Sequence, residues 1–303
     1  MIRNIFINKK FVGYSKERYI LPSFMILGQS KCGTSSLVRY ILMHRYILPP
    51  KIKENGWWNK QNIPPSYNSL VKYAKKYFPC TGKGCSNPAC MSWVELVLNK
   101  IHQTEPVCRN WLKKNRKFYI TFDSTATYLT QADPAIIHSV FPNIRFIVIL
   151  RCPIRRAFSH YKMHIRFGRK VMTFDKEIEK EFKKLYRRHG KYISPSLYVY
   201  WLKKWSKIYS KKSILILFSE EMEKESITTT RLHNYLKPVF KHVGLDPSEI
   251  DHEGNKKPKK YNTSMTSYAL PKDTDIKRLS EIFREPNKEL ALWLGRKLPE
   301  EWL

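Results

Sequence analysis

An apolar run that stops at a glycine, followed at once by a helical pattern, most restricts what this chain can become. Leu21-Pro22-Ser23-Phe24-Met25-Ile26-Leu27 ends at Gly28, and Leu37, Tyr40, Ile41 and His44 then recur at helical spacing. Between them lies Gly28-Gln29-Ser30-Lys31-Cys32-Gly33-Thr34-Ser35, so a buried strand, a glycine-bounded loop and a helix succeed one another. Such a turn aims backbone N–H groups and the positive end of a helix dipole at one point, the outline of a phosphate-binding loop. Continuous apolar runs at 118–122, 145–150 and 213–218 read as parallel strands buried on both faces. Helical patterns at 67–78, 91–101, 153–167, 174–188, 195–210 and 228–243, with one or two closing helices over 273–295, fall between or after them. The alternation predicts an α/β chain: a P-loop-like fold with a central parallel sheet flanked by helices. Residues 1–20 read as a basic lead-in and 21–303 as a single domain, with the Pro- and Trp-rich stretch 49–110 inserted on the substrate side.

Charge narrows the partners. Lys and Arg number 56 against 25 Asp and Glu, a net +31 that draws polyanions. Nucleic acid, anionic membrane and sulfated or phosphorylated substrates all suit it. No apolar run approaches the ~18 residues that span a bilayer, and residues 1–10 lack a signal-peptide core, so the chain as given reads as soluble with no anchor seen in it, an anchor upstream of it staying open. Cys80, Cys85 and Cys90 are spaced too widely for a zinc knuckle and have no His at ligand spacing, so no metal is expected. A local disulfide among them, with Cys108 as another partner, is open in an oxidising compartment.

The first loop departs from a nucleotide kinase. Thr34 follows the second glycine where a triphosphatase carries lysine, and the lysine is Lys31, two residues before that glycine. A lysine there lies nearer the scissile end of a shorter, metal-free donor. Thr34 and Ser35 add hydroxyls to the amides of the helix start. The run 146–150 leads into Arg151-Cys152-Pro153, with Pro153 suited to a first helical turn and Ser159 about two turns on. Arginine and a hydroxyl at such a strand end suit a second phosphate, whereas Arg155, Arg156 and Arg166 also fit the solvated face of a basic helix.

With both loops in view, the chain resembles the sulfotransferases that use 3′-phosphoadenosine 5′-phosphosulfate (PAPS), over roughly residues 22–295. The family's P-K-x-G-T-[TS]-x-L stands here as Ser30-Lys31-Cys32-Gly33-Thr34-Ser35-Ser36-Leu37, with Ser30 in place of proline. Its R-x-P-x-x-R-x-x-S-x-Y stands at Arg151, Pro153, Arg156, Ser159 and Tyr161. Lys53-Glu54-Asn55-Gly56-Trp57-Trp58 resembles the K-E-x-x-[FW]-[FW] of the carbohydrate branch acting on glycosaminoglycans. The segment 122–128 resembles that branch's E-K-[ST]-P-x-Y, with Ser124 and Ala126 in place of lysine and proline. Ser194-Pro195-Ser196-Leu197-Tyr198 and Glu285-Pro286-Asn287 resemble later family segments. The family's K-G-R loop is missing, and Asn255-Lys256-Lys257-Pro258-Lys259-Lys260 is expected to give the same positive cover. The departures look closer to N-acetylgalactosamine 4-sulfate 6-O-sulfotransferases than to the heparan sulfate 3-O enzymes.

The resemblance implies sulfuryl transfer from PAPS, leaving PAP, to a carbohydrate hydroxyl, with a glycosaminoglycan as acceptor. Lys31 and Glu54 would be catalytic, Glu54 as general base, where the cytosolic small-molecule branch commonly uses histidine. Ser30, Lys31, Cys32, Gly33, Thr34, Ser35, Ser36, Arg151, Ser159, Lys256 and Lys257 would hold the donor. Lys53, Trp57, Trp58 and Asp123 would hold the acceptor. The resemblance also implies a Golgi lumen setting, a cytoplasmic one being the alternative, and no specific nucleic acid partner. Rival readings are a glycolipid or small-alcohol acceptor, a P-loop kinase, and a polyanion-binding protein using aromatics interleaved with lysines at 198–212. Simple polyanion binding collapses with salt, whereas a directional nucleotide pocket survives better.

Overall fold

The computed structural model describes residues 11–12, 19–79, 120–183, 190–250 and 271–302. The sequence-predicted helix at 91–101, Cys80, Cys85, Cys90 and Cys108, and the basic loop with Lys256 and Lys257 lie outside these residues. A two-residue pair, β1 (Phe11–Val12) and β2 (Tyr19–Ile20), is antiparallel. The main sheet holds β3 (Phe24–Ile26), β4 (Ile47–Leu48), β5 (Ile120–Ser124), β6 (Arg145–Leu150) and β7 (Ile214–Phe218), all parallel, in the order β4-β5-β3-β6-β7. In register, Phe24 faces Phe122 on one side and Arg145 on the other. The P-loop-like α/β arrangement expected from the apolar runs is therefore present.

Chain order explains where a site can form. From the central β3 the chain moves to one side for β4 and β5, then crosses to the other for β6 and β7. The reversal opens a crevice beyond the carboxyl ends of β3 and β6, where ligands bind in open parallel sheets. The two loops singled out by sequence leave those two ends.

Helices cover both faces: α1 (Thr34–Ile41), α2 (Tyr67–Tyr77), α3 (Tyr128–Gln131), α4 (Pro134–Val140), α5 (Pro153–Arg166), α6 (Phe174–Phe182), α7 (Tyr198–Ser206), α8 (Ser219–Glu225), α9 (Thr229–Val243) and α10 (Asp273–Leu294). The closing segment is one helix, continuous through Pro286. None of these is long and apolar enough to cross a membrane. Buried residues of β3, β5, β6 and β7 form the main core with α1, α7 and α9. A second cluster joins Ala157 and Phe158 of α5 to Phe174, Ile178, Tyr192, Leu279 and Phe283. The aromatics interleaved with lysines at 198–212 belong largely to the core: Tyr198, Trp205 and Tyr209 are buried, and Trp205 Nε1 donates to Leu129 O at 2.9 Å.

A carboxylate ties the second cluster to the site. Glu181 accepts from the backbone N–H groups of Lys191 and Tyr192 on one oxygen and of Ile193 and Ser194 on the other, at 2.7–3.0 Å. A Cβ on Gly190 would lie 1.6 Å from Glu181 Oε1, so the approach requires glycine. Arg156, fully buried, donates to Tyr192 O and Ser196 Oγ at 2.5 Å, so it is a core strut and not part of a solvated helix face. Because the buried amides of Tyr192, Ile193 and Ser194 would lose a carboxylate acceptor, Glu181→Ala should cost about 3 kcal/mol or more in urea denaturation. An unchanged unfolding midpoint would contradict it.

Candidate active site

The loop after β3 is shaped by close approach. Gly28 has φ 39°, and a Cβ there would lie 2.2 Å from Thr34 Cγ2, so only glycine lets α1 begin against the strand end. Gly33 has φ 97° and caps α1 without a side-chain hydrogen bond. The amides of Gly33, Thr34 and Ser35 have no acceptor among the described residues, which leaves an anion-binding helix start. Ser36 is different, because its N–H is taken by Gly33 O at 3.1 Å. Cys32 is different again: its thiol is fully buried 3.6 Å from Tyr198 OH and its N–H donates to Gln29 O. Cys32 therefore packs the loop from behind and does not face a donor, and burial pushes its thiol up to about 11. Ser30 gives its N–H to Gln29 Oε1 at 2.9 Å.

Cations gather over this loop. Arg151, at the end of β6, donates to Lys31 O at 3.3 Å. Burial first, then the charges of Arg166, Arg151 and Lys162, hold the Lys31 pKa below the usual lysine value. No acidic side chain among the described residues pairs with any of these four cations. These four like charges, without an acidic partner among the described residues, repel one another, and a bound polyanion would relieve that repulsion. Arg166 is exposed, as the sequence pattern suggested, yet its charge reaches Lys31. Ser159 lies half-buried on α5 between Arg151 and Lys162 in sequence. His160 also feels Lys31, but burial holds its pKa down to about 3, so it offers no base of ordinary histidine strength.

The third segment meets the first. Lys53 Nζ donates to Ser35 Oγ at 3.2 Å and to Glu54 Oε1 at 2.6 Å, bridging the loop after β3 to the candidate base. Lys53 is therefore a bridge to the loop, with 15% of its side chain exposed, while Glu54 keeps 41% exposed. Glu54 Oε2 accepts from Ala126 N at 2.7 Å. Lys31 (φ 74°) and Glu54 (φ 61°) are the only non-glycine residues in the left-handed region among those described. That conformation costs about 1–3 kcal/mol for such residues and concentrates at functional sites.

Two sequence-predicted acceptor contacts are corrected. Trp58 is 1% exposed and donates from Nε1 to Tyr73 OH at 3.1 Å, so it is core and not a sugar platform. Asp123 is 0% exposed, enclosed by Tyr73, Tyr128 and Asn55, and cannot touch a substrate. Trp57 stays half-buried, tilted by 30° against the Tyr73 ring with centroids 5.1 Å apart. Sequence reasoning missed Gln29, which is buried and donates from Nε2 to Pro195 O at 3.1 Å, latching the loop after β3 to the 194–196 turn. It also missed Glu220, which accepts from Cys152 N at 2.8 Å and so steadies the Arg151 loop. Neither carries a local pattern; each is recognisable only by what lies against it.

Comparison with known proteins follows the same lines. The model of the sulfotransferase family matches residues 22–238. Mouse (Mus musculus) carbohydrate sulfotransferase 15 is 22% identical over 263 residues, covering 75% of this chain and 44% of that protein. The Drosophila melanogaster bifunctional heparan sulfate N-deacetylase/N-sulfotransferase is 24% identical over 246 residues, 76% of this chain and 21% of that protein. The chain thus spans less than half the length of these relatives. A solved sulfotransferase from Alicyclobacillus acidocaldarius superposes with a TM-score of 0.61 at 20% identity, over 92% of this chain and 97% of that one.

Proposed function

Because this chain belongs to the sulfotransferase family, we propose that it transfers a sulfuryl group from PAPS to a hydroxyl of an anionic carbohydrate, a glycosaminoglycan. The observation that carries this reading is the Ser35–Lys53–Glu54 link, which joins the loop bearing Lys31 to the segment bearing Glu54, with Lys31 and Glu54 both in left-handed backbone. The open amides of Gly33, Thr34 and Ser35 with Lys31 suit the donor's 5′-phosphosulfate. Arg151 and Ser159 suit the 3′-phosphate that separates PAPS from ordinary nucleotides. Glu54 takes the acceptor's proton as its oxygen bonds to sulfur, and Lys31 neutralises the charge left on the departing phosphate oxygen. The net charge of +31 steers a polyanionic acceptor toward the site. The proposal includes a Golgi-lumen setting, as the resemblance implies, and one folded unit over 21–303.

The test is transfer of labelled sulfate from PAPS to a panel of native and desulfated glycosaminoglycans. Label in one polysaccharide is the expected result. PAP binding without label in any of them moves the acceptor to a glycolipid or small alcohol, and no PAP binding overturns the donor assignment. Arg151→Ala should weaken PAP about 10–100-fold in calorimetry, the worth of charge-assisted hydrogen bonds. Unchanged affinity removes Arg151 from the site.

A further inference from the structure

Segment 53–59 is zipped onto segment 123–128 at the carboxyl end of β5. Glu54 N donates to Ser124 O at 2.8 Å, Gly56 N to Thr125 Oγ1 at 3.2 Å, and Asn59 Nδ2 to Thr127 Oγ1 at 2.7 Å. Beneath this zipper lies the Asp123 carboxylate. Its Oδ1 accepts from Asn55 Nδ2 at 2.8 Å, and its Oδ2 accepts from Tyr73 OH of α2 at 2.5 Å with Tyr128 OH of α3 at 3.0 Å. Asn55 is oriented by Trp57 N, which donates to its Oδ1 at 2.9 Å, and the single Tyr128 O–H proton is shared between that oxygen, at 2.7 Å, and Asp123 Oδ2. The chain around Glu54 is thus gripped on its far side by a carboxylate that touches no solvent.

A buried carboxylate is a costly way to fill space. Unpaired it would cost several kcal/mol, and an apolar side chain would pack there more cheaply. Burial pushes the Asp123 pKa up to about 6 against the pull of its three donors. What the carboxylate supplies is direction: it fixes the Asn55 amide, which neighbours the one acidic residue held at φ 61°. A left-handed glutamate relaxes unless its flanking residues over-determine it.

We infer that Asp123 is a positioning residue for Glu54, acting through Asn55 and Tyr128 to hold the Glu54 carboxylate toward the acceptor hydroxyl. The inference rests on Glu54 being the general base. Displacement of a reacting group by about 1 Å costs on the order of 10²-fold in rate. Asp123→Asn replaces an acceptor by a donor facing two hydroxyls and an amide, and should therefore lower kcat on that scale while leaving acceptor KM and PAP affinity unchanged.

A double-mutant cycle on the whole chain tests it, with labelled PAPS and whichever acceptor takes label. Asp123→Asn should lower kcat in the wild-type background and cost nothing further in the Glu54→Gln background, since its effect passes through Glu54. Tyr128→Phe, which keeps the ring and removes the hydroxyl bound to Asn55, should show the same pattern and carries the test should Asp123→Asn fail to fold. Equal losses in both backgrounds, a wild-type kcat, or weakened PAP binding would overturn the inference. If Glu54→Gln keeps the wild-type rate, or nothing takes label, the base assignment falls and the inference with it. If Glu54→Gln is impaired and neither Asp123→Asn nor Tyr128→Phe is, only the inference falls.

Discussion

Glu54→Gln is expected to lower sulfuryl transfer by about 10²–10⁴-fold, the usual contribution of a positioned general base. The amide keeps the size of the carboxylate and its bond from Ala126 N, so the loop should hold its shape. Only the capacity to take a proton is lost. Lys53 would still reach Ser35 Oγ, so PAP affinity should not change. Rate and affinity measured together decide the matter: transfer near the wild-type rate would show that the acceptor's proton leaves by another route. Among the described histidines, His160 is held down to about 3 by burial, so it does not supply that route.

Lys31→Ala is expected to lower kcat by about 10²–10³-fold, the scale for removing one donor aimed at developing charge. The loss in PAP affinity should be smaller, because the open amides of α1 and the Arg151 guanidinium persist. Charge state gives a second readout. In the free protein, burial and then Arg166, Arg151 and Lys162 loosen the Lys31 proton, and a bound polyanion tightens it again. Binding PAP above the lowered pKa must therefore take up a proton. Affinity should be flat at lower pH and fall as pH rises through that pKa, in a window opening below the ordinary lysine value of about 10.4. Calorimetry across pH checks it, and Lys31→Ala should remove this component. A wild-type affinity that stays level, or a variant that turns over normally, would remove Lys31 from the reaction.

The chain announced its scaffold more readily than its contacts. The run at 145–150 became β6 residue for residue, because a parallel strand buried on both faces needs apolar side chains throughout. The run at 21–27 shortened to Phe24–Ile26. The edge strand at Ile47–Leu48 escaped notice because two residues carry no period. The short helices at 128–131 and 134–140 were also missed, although Asp133 followed by Pro134 is a cap signal.

By itself, the sequence determined the strand-loop-helix that makes an anion site, the arginine at the neighbouring strand end, and the fold class around them. These are matters of local backbone conformation and chain order, which depend on near neighbours. Only the tertiary structure decided that Cys32, Arg156, Trp58 and Asp123 serve the interior. It alone decided that Lys53 links two loops. Whether a side chain is buried depends on segments far away in the chain. Asp123 is enclosed by Tyr73 and Asn55, 50 and 68 positions before it, and no periodicity in one segment encodes what another will lay across it.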